Sequence, residues 1–205
     1  MYIAKYDSCG TLQWAKQAGG NGGTNPTGVA TDAAGNVYVT GYFTADTVAF
    51  GTLKMPNTSF HNAFLVKYNS SGIAQWAKQG TGNEVNEATA ISVDANNNIY
   101  ITGRYASTSL TFGAGSVSNG TDDGYTKDVF IAKFDNTGAN LWLKTSVSNS
   151  NTSGDANPYG IATDAAGNDY VAGDFESGYI RFGTDSLQNN GFYDIFVVKY
   201  DNKGN

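Results

Sequence analysis

One motif recurs four times along the chain, about 65 residues apart. Its copies occupy residues 2–7, 64–69, 130–135 and 196–201, and each holds a lysine at the same place. The spacings between consecutive lysines, Lys5, Lys67, Lys133 and Lys199, are 62, 66 and 66 residues. Self-similarity at a fixed period indicates an architecture in which one supersecondary unit is used repeatedly. The chain therefore folds as a tandem array of similar units.

Each unit contains four short segments that are rich in Val, Ile, Tyr, Phe and Thr and are bounded by Gly or Asn. Such segments predict β-strands, and no stretch shows a sustained helical period. We label them in repeat order: strand A ends at Asp32, strand B spans 37–41, strand C spans 2–7 and strand D spans 12–17. A Phe-Gly pair follows strand B in every copy, at 50–51, 112–113 and 182–183. Length varies only in connectors, as expected when strands are constrained and loops are free.

Four strands per repeat, arranged as a meander, predict an all-β fold: a β-propeller built from four-stranded antiparallel blades, with about three blades' worth of repeats. The predicted divisions are a partial blade with strands C and D (1–17), two blades (18–79 and 80–145), and a blade that lacks its last strand (146–205). Propellers close with about four to eight blades. We therefore expect an arc cut from a longer protein, or else copies that share split blades; the first expectation is favoured.

Several motifs together resemble a known repeat. They are Gln-Trp-Ala-Lys-Gln at 13–17, Asp-Ala-Ala-Gly-Asn-Val-Tyr-Val-Thr-Gly at 32–41, Phe-Leu-Val-Lys-Tyr at 64–68, and the Phe-Gly pairs. The combination resembles the SBBP β-propeller repeat family of bacterial proteins, which are usually large and secreted or surface-associated. The resemblance covers nearly the whole chain. It implies the propeller fold and an extracellular or cell-surface location, and it carries no activity or site residues.

Charge excludes two classes of partner. The formal net charge is −6, and Lys and Arg form no cluster or stripe. Nucleic-acid binding depends on clustered cations that neutralise phosphates, so neither nucleic acid nor an anionic membrane is an expected partner. No window approaches the 18 apolar residues of a membrane-spanning helix. The first residues enter a repeated strand directly, so we expect no signal peptide within this chain.

The single histidine and the single cysteine, two candidates for catalysis, are isolated in the sequence. His61 is the single histidine, and the sequence places no other ligand beside it, so we expect a solvated loop residue. Cys9, the single cysteine, aligns with Ser71, Thr137 and Lys203 in the turn between strands C and D. This predicts an exposed turn position without a base to activate the thiol. We predict no catalytic, cofactor-binding or metal-binding residue.

Residues that recur in every repeat are interpreted as structural. The aspartates after strand A are expected to cap their own turns, the strand D tryptophans to pack between blades, and the strand C lysines to pair with repeated acids. These residues are Asp32, Asp94, Asp164, Trp14, Trp76, Trp142, Lys67 and Lys133.

The departures from the repeat are better candidates for function, because variable loops carry function on regular scaffolds. The two longest lie around 114–127 and 146–158. The residues predicted to contribute to binding loops for a protein or carbohydrate partner are Asp122, Asp123, Tyr125, Asp155 and Tyr159.

The sequence thus predicts a non-catalytic extracellular module that serves as a scaffold or as a protein- or glycan-binding surface. It would be completed by other blades of its parent chain or by a second copy. The alternative is a propeller lyase or hydrolase with its site at the ring axis. That site would draw on acidic or basic residues which nothing in the sequence connects: Glu84, Glu87, Arg104, Asp155 and Asp174.

Overall fold

The computed structural model describes residues 1–119, 126–148 and 154–205. These residues form β-strands joined by turns, and no helix among them is long and apolar enough to cross a membrane. The nineteen strands are β1 (Tyr2–Tyr6), β2 (Leu12–Gly19), β3 (Thr24–Thr31), β4 (Val37–Phe43), β5 (Thr47–Phe50), β6 (Leu53–Pro56), β7 (Asn62–Tyr68), β8 (Ala74–Thr81), β9 (Asn86–Val93), β10 (Ile99–Tyr105), β11 (Ser109–Phe112), β12 (Gly115–Ser118), β13 (Asp128–Phe134), β14 (Asn140–Ser148), β15 (Ala156–Thr163), β16 (Asp169–Phe175), β17 (Tyr179–Phe182), β18 (Asp185–Gln188) and β19 (Asp194–Tyr200).

The strands form four antiparallel sheets. The first has the order β1-β2-β5-β6, the second β3-β4-β7-β8-β11-β12, the third β9-β10-β13-β14-β17-β18, and the fourth β15-β16-β19. Strands A to D of the repeat appear in sequence order within the second sheet as β3, β4, β7 and β8, and within the third as β9, β10, β13 and β14. The fold is therefore all-β and antiparallel, as predicted.

The complete sheets have six strands, whereas the sequence predicted four. The additional two form a hairpin that contains the Phe-Gly pair and follows strand B, yet pairs with strand D of the preceding repeat. For example, Phe112 of β11 pairs with Gly80 of β8. A β-carbon at Gly80 would lie 2.4 Å from the Phe112 ring, so the glycine makes room for the aromatic side chain. The hairpin strands are only four residues long, which made them resemble a closing turn in the sequence.

Neighbouring sheets meet along their strands A, which are β3, β9 and β15. Thr27 Oγ1 donates a hydrogen bond to the carbonyl of Ala88 (2.8 Å), and Thr89 Oγ1 donates one to the carbonyl of Pro158 (2.7 Å). Each threonine thereby connects its strand to strand A of the next repeat. Consecutive propeller blades have this side-by-side arrangement, although the described residues do not form a closed ring.

The core consists of three apolar layers, one between each pair of neighbouring sheets. Phe50 and Phe64 lie in the first layer, Phe112 and Phe130 in the second, and Phe196 in the third. The buried side chains in these layers come mainly from strands B and C and from the hairpins. Each hairpin therefore helps to cover the next sheet as well as extending its own.

The repeated tryptophan and lysine act together at each junction between sheets. Trp76 Nε1 and Lys67 Nζ both donate hydrogen bonds to the carbonyl of Asn136, at 3.2 and 3.0 Å, in the C–D turn of the next sheet. Lys67 also lies over the ring of Tyr38, 5.3 Å from its centroid. The lysine partners are thus a carbonyl and a ring rather than the acids expected. The same contacts recur at the other junctions and involve Trp14 with Ser70, and Trp142 and Lys133 with Asn202.

The repeated aspartates accept hydrogen bonds within their own turns. Asp94 Oδ1 accepts from the amides of Asn96 and Asn98, each at 2.8 Å, and its Oδ2 accepts from the side chains of Asn98 and Tyr100. Asp32 and Asp164 make the equivalent contacts. Both oxygens of each carboxylate are therefore engaged in holding the turn between strands A and B.

Candidate functional site

The side chains that differ most between repeats gather at one end of the sheets. This end holds the beginnings of strands A and C and the end of strand B, which are adjacent because the strands are antiparallel. Three repeat positions are involved: Asn25, Glu87 and Asn157 on strand A; Tyr42, Arg104 and Asp174 on strand B; and His61, Lys127 and Tyr193 just before strand C.

His61 lies between two aromatic rings at this end. Its ring stacks on that of Tyr42 at a centroid distance of 5.1 Å and on that of Phe60 at 4.8 Å. Its Nδ1 lies 2.7 Å from Oε1 of Glu87, on strand A of the next repeat, and its side chain is 20% exposed. The sequence predicted a solvated loop histidine, and the structure instead places it in a packed contact between two sheets.

Glu87 and Arg104 form an ion pair across strands β9 and β10, where they are register partners. Arg104 Nε donates to Glu87 Oε2 at 2.9 Å, and the carboxylate side chain is only 9% exposed. The guanidinium also donates from Nη1 to Oδ1 of Asn157, in the fourth sheet. Arg104 therefore connects the third sheet to the fourth.

The contacts continue within the fourth sheet. Asn157 Nδ2 donates to Oδ1 of Asp174 at 3.2 Å, and the Tyr159 hydroxyl donates to Oδ2 of Asp174 at 3.0 Å. Burial and the Asp174 carboxylate together raise the pKa of Tyr159. We call the connected set His61, Glu87, Arg104, Asn157, Asp174 and Tyr159 the polar strip.

A β-bulge directs Tyr159 into this set. The register between β15 and β16 shifts between Pro158 and Gly160, which leaves Tyr159 without a register partner, and bulges characteristically re-aim a side chain. The bulges of the two earlier repeats carry Thr27 and Thr89, which hydrogen-bond the next strand A. Tyr159 is 68% exposed instead, so the strip ends in an accessible aromatic ring.

Exposed aromatic rings lie at both ends of the polar strip. Phe60, stacked on His61, is 68% exposed and marks the end at the second sheet. At the other end, Tyr193 is 53% exposed, and its pKa is raised mainly by the carboxylate of Glu176 and also by that of Asp174. The arrangement combines aromatic surfaces with a guanidinium, an amide and a carboxylate, which suits recognition of a polar ligand.

The other candidate residues predicted from the sequence are not members of the polar strip. Asp155 forms an ion pair with Lys127 (2.6 Å) at the same end of the sheets. Glu84 precedes β9, and its backbone amide donates to Ser107 Oγ. Asp122, Asp123 and Tyr125 lie outside the described residues. Of the five residues considered for an enzyme, the structure thus connects Glu87, Arg104 and Asp174.

No metal-binding cluster occurs at the polar strip, whose residues are all described. Within residues 1–119, 126–148 and 154–205, no three His, Cys, Asp or Glu side chains are grouped so that they could hold a metal ion. One depression of about 450 Å³ lies between Tyr2 and Val29, and another of about 530 Å³ lies between Phe182 and Tyr200. The residues that line these two depressions do not belong to the strip.

Sequence reasoning missed His61 as a member of the site, because its partner Glu87 belongs to the next repeat. A signal was present in the alignment of the repeats. Strands B and C otherwise repeat closely, yet one position at the end of strand B is Tyr, Arg and Asp in successive copies, and the position just before strand C is His, Lys and Tyr. Such variation at equivalent positions on a regular scaffold is typical of a surface that carries function.

Comparison with known proteins confirms the family resemblance. The family model for the SBBP β-propeller repeat matches residues 13–42. An uncharacterized WD repeat-containing protein of Acanthamoeba polyphaga mimivirus is 34% identical over 117 residues, which are 54% of this chain and 8% of that protein. The regulatory protein FlaEY of Caulobacter vibrioides is 28% identical over 135 residues, which are 64% of this chain and 14% of that protein. The matches therefore cover a small part of each relative, and they are consistent with a propeller-type repeat protein, an architecture that suggests a scaffold or binding module.

Proposed function

We propose that this chain is a section of a β-propeller that binds a protein or glycan partner, without catalysing a reaction, through the end of the sheets that carries the polar strip. The observation that carries the proposal is the strip itself. Its residues come from three successive repeats, differ at equivalent positions, and contact one another across the sheets. On a scaffold whose other residues repeat, a connected set of non-repeated side chains is the natural place for recognition.

The setting proposed for this module is the cell surface or the extracellular medium, as part of a larger protein. Support comes from the SBBP match and from a low charged fraction of 15% combined with a net charge of −6. The names of the two relatives describe a repeat-containing protein and a regulatory protein, and neither names a reaction. Protease treatment of intact source cells, followed by immunodetection of the chain, tests this location.

The binding proposal is tested on arrays of purified glycans and of synthetic peptides that are basic, acidic or neutral. The wild type is compared with a double variant, Glu87→Gln with Arg104→Gln, which removes both charges of the partly buried pair together and leaves neither partner of the pair as an unpaired charge. We expect at least one class of probe to bind the wild type and to lose most of its binding to the double variant. Circular dichroism and thermal unfolding of both proteins provide the check on folding.

The matched control is Tyr6→Ala, since Tyr6 is 60% exposed and ends β1, away from the end of the sheets that carries the polar strip. Binding that survives in the double variant but is lost in the Tyr6 variant contradicts the proposed location. The absence of any strip-dependent binding across both arrays contradicts the function itself.

A propeller lyase or hydrolase is the second candidate, and one observation favours it. His61 contacts Glu87 through Nδ1, and no hydrogen bond to its Nε2 occurs within the described part of the chain. A carboxylate on one ring nitrogen orients the other for proton transfer. We expect no release of reducing ends or unsaturated products from polysaccharide substrates above that of His61→Gln. Turnover that disappears in this variant favours the enzyme.

A further inference from the structure

We infer that the ligand of the polar strip is a neutral oligosaccharide; this inference rests on the proposed function and specifies its ligand. The juxtaposition that points to it is a pair of exposed aromatic rings, Phe60 and Tyr159, at opposite ends of a line of planar polar groups. Sugars present apolar C–H faces that stack on aromatic rings, and hydroxyl groups that require donors and acceptors at their edges.

Both rings are held in place by their neighbours. Phe60 lies nearly parallel to the His61 ring, with an interplanar angle of 11°, and His61 in turn stacks on Tyr42 at 19°. Tyr159 is anchored through its hydroxyl to Asp174. An aromatic side chain that is ordered before binding loses little conformational entropy when a ligand stacks on it. The two exposed rings are therefore suitable as binding platforms.

The polar groups between the rings retain unused hydrogen-bonding capacity. A guanidinium has five N–H donors, and Arg104, which is 33% exposed, uses donors on Nε and Nη1 for Glu87 and Asn157. The two oxygens of Asp174 accept one hydrogen bond each, although an ionised carboxylate has about four acceptor sites. Donors and acceptors placed side by side match the adjacent hydroxyls of a sugar.

Charge argues against an acidic glycan. The positive charge of Arg104 is already offset by Glu87. No lysine or arginine in the described residues lies within 4.0 Å of the carboxylate of Asp174 or of Glu176. A uronate or sulfate at this surface would therefore meet uncompensated negative charge, and the expected ligand is uncharged.

The extent of the strip indicates an oligomer rather than a single sugar. Phe60 precedes β7 of the second sheet, Arg104 lies on β10 of the third, and Tyr159 lies on β15 of the fourth. A ligand that contacts both rings consequently spans three adjacent sheets. A basic peptide would place cations beside the half-buried carboxylates of Asp174 and Glu176, and it is the alternative ligand that the test below distinguishes.

The test is native affinity electrophoresis in gels that contain galactomannan, xyloglucan, mixed-linkage β-glucan or, as the acidic comparison, polygalacturonate. We expect at least one of the three neutral polysaccharides to retard the wild type, and polygalacturonate to leave its mobility unchanged. Phe60→Ala and Tyr159→Ala should each weaken retardation by about fivefold or more, the scale of one aromatic contact. Tyr6→Ala, which removes an exposed aromatic ring at the opposite end of the sheets, should behave as the wild type does.

Three outcomes overturn the inference. These are no retardation by any neutral polysaccharide, retardation by polygalacturonate alone, and retardation that Tyr6→Ala abolishes while the Phe60 and Tyr159 variants retain it. Titration with a blocked Gly-Lys-Gly-Arg-Gly peptide separates this failure from failure of the proposed function. If the peptide binds in a strip-dependent way and no polysaccharide binds, the proposed binding function is retained and the ligand is a basic peptide instead of an oligosaccharide.

Discussion

Asp169 is an acidic residue whose side chain lies in the buried interior of the protein. It opens β16 at the position that is Val37 and Ile99 in the two preceding repeats. Its side chain is fully buried, and neither carboxylate oxygen has a hydrogen-bond partner. Burial raises its pKa from 3.8 to about 7, although the charge of Lys133 acts in the opposite direction. The repeat thus places a carboxyl group where the fold requires an apolar side chain.

This burial predicts a pH-dependent loss of stability. A carboxyl group whose pKa is raised on folding contributes most below its unfolded pKa of about 3.8, and that contribution is lost as pH rises through about 7. Asp169→Val should therefore stabilise the protein at pH 8 and have much less effect at pH 4. The difference between the two pKa values corresponds to at most about 4 kcal/mol. Urea unfolding of the wild type and of Asp169→Val between pH 4 and pH 8 measures this difference in the free energy of unfolding.

The wild type must be compared with the variant because other carboxylates change the stability of the fold with pH in the opposite direction. Hydrogen bonds within their own turns lower the pKa of Asp135, Asp164 and Asp201, so these groups stabilise the fold above pH 4. Subtracting the Asp169→Val profile from that of the wild type removes their contribution. Asp185→Val, at an exposed position of β18, is the control. A flat difference profile for Asp169 would show that the group is not buried as described.

The hairpin after strand B joins successive repeats, because it pairs with the sheet of the preceding repeat. Each hairpin leaves its own repeat after strand B and extends the sheet of the preceding one. Phe112, which is fully buried, occupies the space above Gly80 of β8. Successive repeats are therefore connected by shared sheets as well as by side-chain packing.

The contact between Gly80 and Phe112 predicts a strong coupling between repeats. Gly80→Ala should destabilise the protein by about 1–3 kcal/mol, because the added methyl group overpacks the site. Most of that cost should disappear in a Phe112→Ala background, where the ring is absent. Gly160→Ala is the control, since a β-carbon added at Gly160 would have no atom within 4 Å. Additive effects of the Gly80 and Phe112 substitutions in a double-mutant cycle would contradict the cross-repeat hairpin.

The tryptophan–lysine junction gives a second prediction at this scale. Trp76→Phe and Lys67→Met each remove one hydrogen bond to the carbonyl of Asn136, and each should cost about 1 kcal/mol. Lys199 serves as the control because it lies over Tyr170 and makes no hydrogen bond to a turn carbonyl in the described residues. Chemical denaturation of the three variants should rank Lys199→Met as the mildest. Equal losses of stability in Lys67→Met and Lys199→Met would indicate that Lys67 stabilises the fold through its contact with the tyrosine ring alone.

Among the described residues, the fourth sheet has an unpaired edge. That sheet has three strands, whereas the second and third have six, and β19 lies at its edge. Ile195 is 80% exposed and Val197 is 66% exposed on this strand. A long, apolar and unpaired edge strand favours pairing with another chain.

We therefore expect the 205-residue chain to self-associate. Light scattering should give a mass that rises above 21.6 kDa with concentration. The double variant Ile195→Lys with Val197→Lys should reduce this rise, because charged side chains on an edge strand oppose pairing. Phe192→Lys introduces the same charge at an exposed position before the strand and is the control. A constant monomer mass for the wild type at all concentrations would contradict the expectation.

The sequence by itself determined the all-β class, the repeat, the places of strands A to D and the turns between them. These features are local: alternating apolar residues and turn-forming Gly, Asn and Asp act within a few neighbours, and the period multiplies each signal. Tertiary structure alone decided the partners. It paired each hairpin with the preceding repeat, brought His61 to Glu87 and Arg104 to Asn157, and buried Asp169. Those contacts join residues 26 to 53 positions apart or depend on a neighbouring sheet, and their energies appear only once the sheets pack against one another.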